Sequence, residues 1–238
     1  MANWKNTHQK YQSLVGAEYI ATPKALRIVE RLCREREAQT CVVVEIGTGI
    51  GTFADLILSE KSFMYFAYEI NQFCVKQLKN NLSMFQFTLS TTYDRLIDEL
   101  SRIMTVSEVL IVVDDYLDEN QTNKMLEIVR KKCSKLTIFI EGHRFGQRRL
   151  FVNACKRNNM TFHARFFGNS LDSVKGGFLL SCMTDSTKVG KYQSQILSGY
   201  SDLRLKIHDY YFTRKTFSAL GIRKRKWLGY LPRLSKRS

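Results

Sequence analysis

The 238-residue chain has no C-x-x-C pair. Its six cysteines (Cys33, Cys41, Cys74, Cys133, Cys155 and Cys182) stand singly, most of them inside apolar runs. That spacing argues against a zinc site or a disulfide framework and for buried thiols in a reducing compartment. No stretch approaches the ~18 consecutive apolar residues that a membrane span needs. The first residues, MANWKNTHQK, are polar and lack the apolar core of a signal peptide. Internal repeats and low-complexity segments are missing as well. A cytoplasmic protein is the expectation, with a peripheral place at the inner membrane surface as the alternative.

Acid is missing from one region in particular. From Arg214 onward there are nine Lys/Arg and no Asp or Glu. Over residues 186–238 thirteen Lys/Arg face two Asp, a net of +11, which leaves +4 of the total +15 for the first 185 residues. The body is therefore ordinary in charge and the C-terminal extension is strongly basic. Tyr210, Tyr211, Phe212, Phe217, Trp227 and Tyr230 are interleaved with the cations. Such a segment suits an anionic membrane surface, where aromatics settle at the interface. It equally suits RNA, where bases stack on the rings and phosphates meet the cations. A third reading is that the aromatics dock on the body and the charges are solvated.

What is present is a regular alternation, and 44% hydrophobic residues suffice for a core. Thr22-Pro23 offers a cap and a first-turn proline, and Ala25, Leu26, Ile28, Val29, Leu32 and Cys33 follow on one helical face. This predicts a helix over about 22–37. Short, continuously apolar runs such as CVVVEI, FMYFAY, EVLIVVDD and KLTIFIEG mark strands covered on both sides. Amphipathic segments separate them, and MTFHARFFGN and GGFLLSCM close the series. The connection between those last two is too short for a crossover, so one of them runs antiparallel. The expected fold is α/β: a doubly wound, mostly parallel seven-stranded sheet with helices on both faces, one antiparallel strand and a basic C-terminal extension. The expected division is 1–185 for the domain and 186–238 for the extension.

The most informative stretch is VVVEIGTGIG, residues 42–51. Gly47, Gly49 and Gly51 follow a strand and precede a helix, where backbone can turn sharply and a ligand can approach unpaired N–H groups. The dinucleotide fingerprint would want glycine or alanine at position 52, which is Thr52. Glu45 stands two residues before the first glycine, where it would oppose a pyrophosphate but suit a cation. Glu69 ends the next strand, where a carboxylate can accept both ribose hydroxyls. A ligand with a ribose, no phosphate and a positive charge is S-adenosylmethionine.

On these residues the sequence resembles the class I S-adenosylmethionine-dependent methyltransferases. VVVEIGTGIG is similar to their first motif, E/D-x-G-x-G-x-G, and FAYEI to their second; the likeness runs from roughly Thr22 to Thr184. The resemblance implies that Gly47, Thr48 and Gly49, with Gly51 completing the turn, pass under the methionine part of the donor. It implies that Glu45 helps order the amino end, Glu69 holds the ribose and Ile70 touches the adenine. The family's usual acidic residue after the third strand has no match in LSTTYD. Its fourth motif falls on IVVDDYLDE, with Asp114 at the strand end as a donor contact or base.

The acceptor is less defined. Asp114, Asp115, Tyr116, Glu141 and His143 are candidates at strand ends, and an imidazole at His143 could take a hydroxyl proton near neutral pH. Arg144 and Arg148, four apart, could hold an acidic acceptor, or could form a solvated face with Arg149. The Asp/Asn-Pro-Pro-Tyr/Phe pattern of amino-methylating enzymes is absent, and so is the Pro-Cys setting of cytosine C5 enzymes. The Asp-Asn of metal-dependent catechol enzymes is replaced by EGHR, so no metal is expected. Elimination favours O-methylation of a small molecule or a glycan hydroxyl. The alternatives are RNA methylation with the extension as clamp, and a non-catalytic binding module.

Overall fold

In the computed structural model the described residues are 3–142, 145–167 and 177–183. Seven strands form one sheet in the order β3-β2-β1-β4-β5-β7-β6. They are β1 (Cys41–Ile46), β2 (Met64–Tyr68), β3 (Thr88–Ser90), β4 (Val106–Val113), β5 (Cys133–Glu141), β6 (Thr161–Phe167) and β7 (Gly177–Met183). β7 runs antiparallel to both β5 and β6, and the other pairings are parallel. The antiparallel strand is thus the last one, inserted between β5 and β6.

Seven helices accompany the described strands: α1 (Trp4–Gln12), α2 (Pro23–Arg34), α3 (Thr52–Glu60), α4 (Gln72–Asn81), α5 (Tyr93–Arg102), α6 (Glu119–Lys132) and α7 (Phe145–Arg157). Because side chains alternate along a strand, β1 feeds two cores at once. Val42, Val44 and Ile46 join the cluster beneath α5, α6 and α7, whereas Cys41 and Val43 join that beneath α2 and α3. All six cysteines are buried free thiols.

α2 ends at Arg34, short of the expected 37. The reason lies in Arg36, which turns inward, donates to the Leu32 carbonyl and reaches Glu108 at 2.6 Å and Thr137 at 2.8 Å. A side chain that must reach across to β4 and β5 cannot remain on a solvent-facing helix turn. α1 was not anticipated from the sequence. Its Asn3 cap accepts from Lys5 N at 2.9 Å, and Tyr11 is fully buried against Ile50 and Cys74. From there a 3₁₀ turn, Ala17–Tyr19, leads across the top of the sheet into α2. No helix among the described residues is long and apolar enough to cross a membrane.

Candidate functional site

The chain order reverses between β1 and β4, and ligand clefts of doubly wound sheets open there, beyond the carboxyl ends of the strands. A cavity of about 840 Å³ occupies this place. Its wall includes Gly47 and Gly49 after β1, Glu69 and Ile70 after β2, Asp114 and Asp115 after β4, and Glu141 and Gly142 after β5. The N-terminal segment supplies Glu18, Tyr19, Ile20 and Thr22, and Asn71 and Cys74 complete the wall.

The glycine turn is built into the fold. Gly47 and Gly49 have φ of 79° and 57°, in the left-handed region that favours glycine. A Cβ on Gly47 would lie 2.3 Å from the Asp115 Cβ, and one on Gly49 would lie 2.5 Å from the Tyr19 carbonyl oxygen. Both glycines are therefore required by protein packing alone. What makes the cleft specific is its charge.

Five carboxylates (Glu18, Glu69, Asp114, Asp115 and Glu141) line the cavity, and no Lys or Arg does so among the described residues. Glu69 is fastened at both oxygens: Gly49 N donates to Oε2 at 2.7 Å and Asn71 N donates to Oε1 at 2.8 Å. Burial still pushes its carboxyl above the ordinary range, against the lowering effect of those two bonds. Each oxygen keeps a second lone pair for a hydroxyl donor. Glu45 is 1% exposed and sits beneath the turn, where Tyr65 donates to its Oε2 and Oε1 has no hydrogen-bond partner. Burial first, then Asp114, Glu69 and Glu141, hold it well above the ordinary carboxylate range.

The sequence-derived site residues thus separate into three groups. Gly47, Gly49, Glu69, Ile70 and Asp114 form part of the wall. Glu45, Thr48 and Gly51 lie under it: Thr48 is buried beside the Tyr68 carbonyl, and Gly51 donates its N–H to the Thr48 carbonyl at 3.0 Å. His143 lies outside the described residues, as does Arg144. Arg148 is buried, donates to the Gly142 carbonyl and lies 5.6 Å from the Phe178 ring centre. It supports the turn after β5 and does not form part of a solvated face.

Two contributions escape the sequence reading. The 3₁₀ turn closes one side of the cavity, with the Tyr19 ring 6.0 Å from that of Phe73. The spacing of Trp4, Thr7 and Tyr11 was the available signal for α1, but its mostly polar composition hid it. The second is the tie that Glu141, already a strand-end candidate, makes to Thr22. Its carboxylate accepts from Thr22 N at 2.8 Å and from Thr22 Oγ1 at 2.7 Å, tying the β5 end to the start of α2. Thr22 reads from sequence as a helix cap alone.

No family model matches the sequence, and no curated protein matches it. Solved structures do. A protein from Klebsiella pneumoniae assigned as an O-methyltransferase superposes with a TM-score of 0.53 at 14% identity, over 76% of this chain and 87% of that one. One from Staphylococcus aureus assigned as a caffeoyl-CoA O-methyltransferase gives 0.51 at 14% identity, over 77% of this chain and 93% of that one. At that identity the likeness is one of fold. The chain has the seven-stranded α/β fold of the class I S-adenosylmethionine-dependent methyltransferases.

Proposed function

We propose that the protein is an S-adenosylmethionine-dependent methyltransferase whose donor occupies the cavity above Gly47 and Gly49. The observation that carries this reading is the lining at the strand-order reversal, whose charged members among the described residues are all acids. A nicotinamide dinucleotide would bring a pyrophosphate against those carboxylates, at a Coulombic penalty. A donor with an ammonium and a sulfonium meets them favourably. Glu69 fits the ribose, since its oxygens are pre-aimed by Gly49 and Asn71. Ile70, 55% exposed at the rim, offers an apolar surface for the adenine.

The bound donor supplies an electrophilic methyl group on a positively charged sulfur. The chain's own task is then alignment, exclusion of water and reception of the acceptor's proton. Asp114, in the cavity wall after β4, is the candidate for that base. Acid on every described side of the cleft favours a neutral acceptor over a phosphorylated one, so a hydroxyl of a small molecule or glycan is the preferred class. His143 is retained as a candidate base on sequence grounds. The basic extension then serves to hold the protein near an anionic surface, at the cytoplasmic side of a membrane.

Titration calorimetry with S-adenosylmethionine tests the first step, and the unmutated chain is expected to bind. Absence of binding would remove the reading. The acceptor class is tested with methyl-labelled donor and fractionated cell extract. Label is expected in small-molecule or glycan fractions, and label confined to RNA would replace that part of the proposal.

A further inference from the structure

Glu141 holds a position that neither donor binding nor packing fully explains. One oxygen is fixed by the two bonds from Thr22 at the start of α2. Among the described residues no donor group reaches Oε2, although the residue is only 5% exposed and lines the cavity. β4 and β5 pair in register through Val113 and Ile140, so Asp114 and Glu141 are the next positions on adjacent strands. Two carboxyl groups so placed form a hydrogen bond only when one of them carries a proton.

The surroundings favour that proton. Glu69 after β2, Asp115 beside Asp114 and Glu18 on the 3₁₀ turn line the same cavity, and Glu45 of β1 lies close enough for Asp114 and Glu141 to raise its carboxyl. On the cationic side, Arg148 of α7 donates to the Gly142 carbonyl, one residue beyond Glu141. The N-terminus of α2 contributes the Thr22 N–H. Burial and then Asp114 push Glu141 up to about 8, against the lowering effect of Thr22. The turn expected to run under the cationic end of the donor lines the same cavity as these acids: Gly47, Asp114 and Glu141 all belong to its wall.

We propose that the Asp114–Glu141 pair is a charge-responsive specificity site, which releases its shared proton when a sulfonium donor binds and regains it when only the neutral thioether remains. The inference rests on the donor reading given above. The proton balance closes. Donor binding sends one proton from the pair to solvent and leaves two carboxylates facing a cation. Methyl transfer then breaks the sulfur–methyl bond, forms the oxygen–methyl bond and frees the acceptor's proton. The vacated pair takes that proton as the positive sulfur becomes neutral. The pair thereby holds the loaded donor more strongly than the spent one.

The test is calorimetry at about pH 7 in several buffers of differing ionisation enthalpy, which reads the number of protons exchanged on binding. S-Adenosylmethionine and S-adenosylhomocysteine are the two probes. Both carry an α-amino group that is mostly protonated at this pH, so it adds little to the difference, although the nearby sulfonium makes it somewhat more acidic in S-adenosylmethionine. Close to one more proton is expected to leave with the sulfonium ligand than with the thioether. In Glu141→Gln, which keeps an acceptor for Thr22, that difference is expected to vanish while both ligands still bind. Asp114→Asn provides the same comparison from the other partner. Equal proton counts for the two ligands on the unmutated chain would overturn the inference and leave the donor reading intact. Failure of both ligands to bind would overturn both together.

Discussion

Glu69 and Gly49 are joined by one hydrogen bond, and that bond makes their variants separable. Glu69→Ala removes a carboxylate with two backbone donors and, on the proposed reading, the ribose partner. Charge-assisted bonds of this kind contribute about 1.5–3 kcal/mol, so donor affinity is expected to fall by roughly tenfold to a hundredfold in a binding titration. Glu69→Gln, which still accepts from Gly49, should lose less. Gly49→Val forces a β-branched side chain into a left-handed φ and against the Tyr19 carbonyl, and it is expected to cost both stability and donor affinity. Glu141 makes a pH prediction for the ligand-free protein. Its folded-state pKa of about 8 lies above the ~4.3 of an unfolded glutamate. Between those values the folded chain binds more protons than the unfolded one, so stability falls as pH rises toward 8. Glu45 and Glu69 are displaced in the same direction and share the trend. The melting temperature is therefore expected to decline between about pH 5 and pH 8.5, and less steeply in Glu141→Gln.

The two ends of the sheet are built for different purposes. At the end away from the cavity, Glu108 on β4 accepts from Arg36, from Thr137 at 2.9 Å and from Lys135 at 3.0 Å. Arg36 is buried there. Glu108→Ala would leave its guanidinium without its carboxylate, a change that costs about 3–5 kcal/mol in buried pairs. Denaturant titration should show that loss, while donor affinity of the remaining folded protein stays unchanged. The N-terminal elements act at the other end. Tyr11 on α1 is fully buried beside Ile50, which directly follows the second glycine. Truncating a buried ring costs about 3–5 kcal/mol. Tyr11→Ala is expected to lose stability on that scale and also donor affinity, because α1 anchors the 3₁₀ turn that walls the cavity. Equal affinity in the Tyr11 and Glu108 variants would show that the N-terminal wall does not matter for binding.

Charge is divided along the chain. The cavity is acid-lined, yet the molecule carries +15, of which residues 186–238 hold +11. Donor and surface partner are thus expected to use different parts of the protein. A chain ending at residue 185 should bind the donor as the full chain does. Vesicles with anionic lipid should retain the full chain and not the shortened one, with retention lost as salt rises past the range where ~8–10 Å screening lengths apply. Retention that ignores salt would argue for an apolar attachment instead.

The alternation of strands and helices from α2 onward, one antiparallel strand within the final pair and the placement of Glu45, Gly47, Gly49, Glu69 and Asp114 at strand ends were legible in the sequence. Each is a local matter of periodicity, turn chemistry or short connection length. α3 shows this best, since its limits, Thr52–Glu60, follow from a glycine before it and an apolar face within it. The extent of α2 was misjudged because Arg36 answers to Glu108 and Thr137, residues 72 and 101 positions away. The N-terminal wall was missed for the same reason: α1 is weakly apolar, and only the surface of α2 and α3 gives it a place, through Glu30 and Asp55. In the sequence Glu45 is a member of the glycine motif and Glu141 a strand-end candidate, with no sign of the partners either one meets. Only the tertiary structure sets Glu45 under the glycine turn and Glu141 beside Asp114, 27 residues away along the chain, because pairing in a parallel sheet joins strand ends that the intervening helix holds apart in sequence.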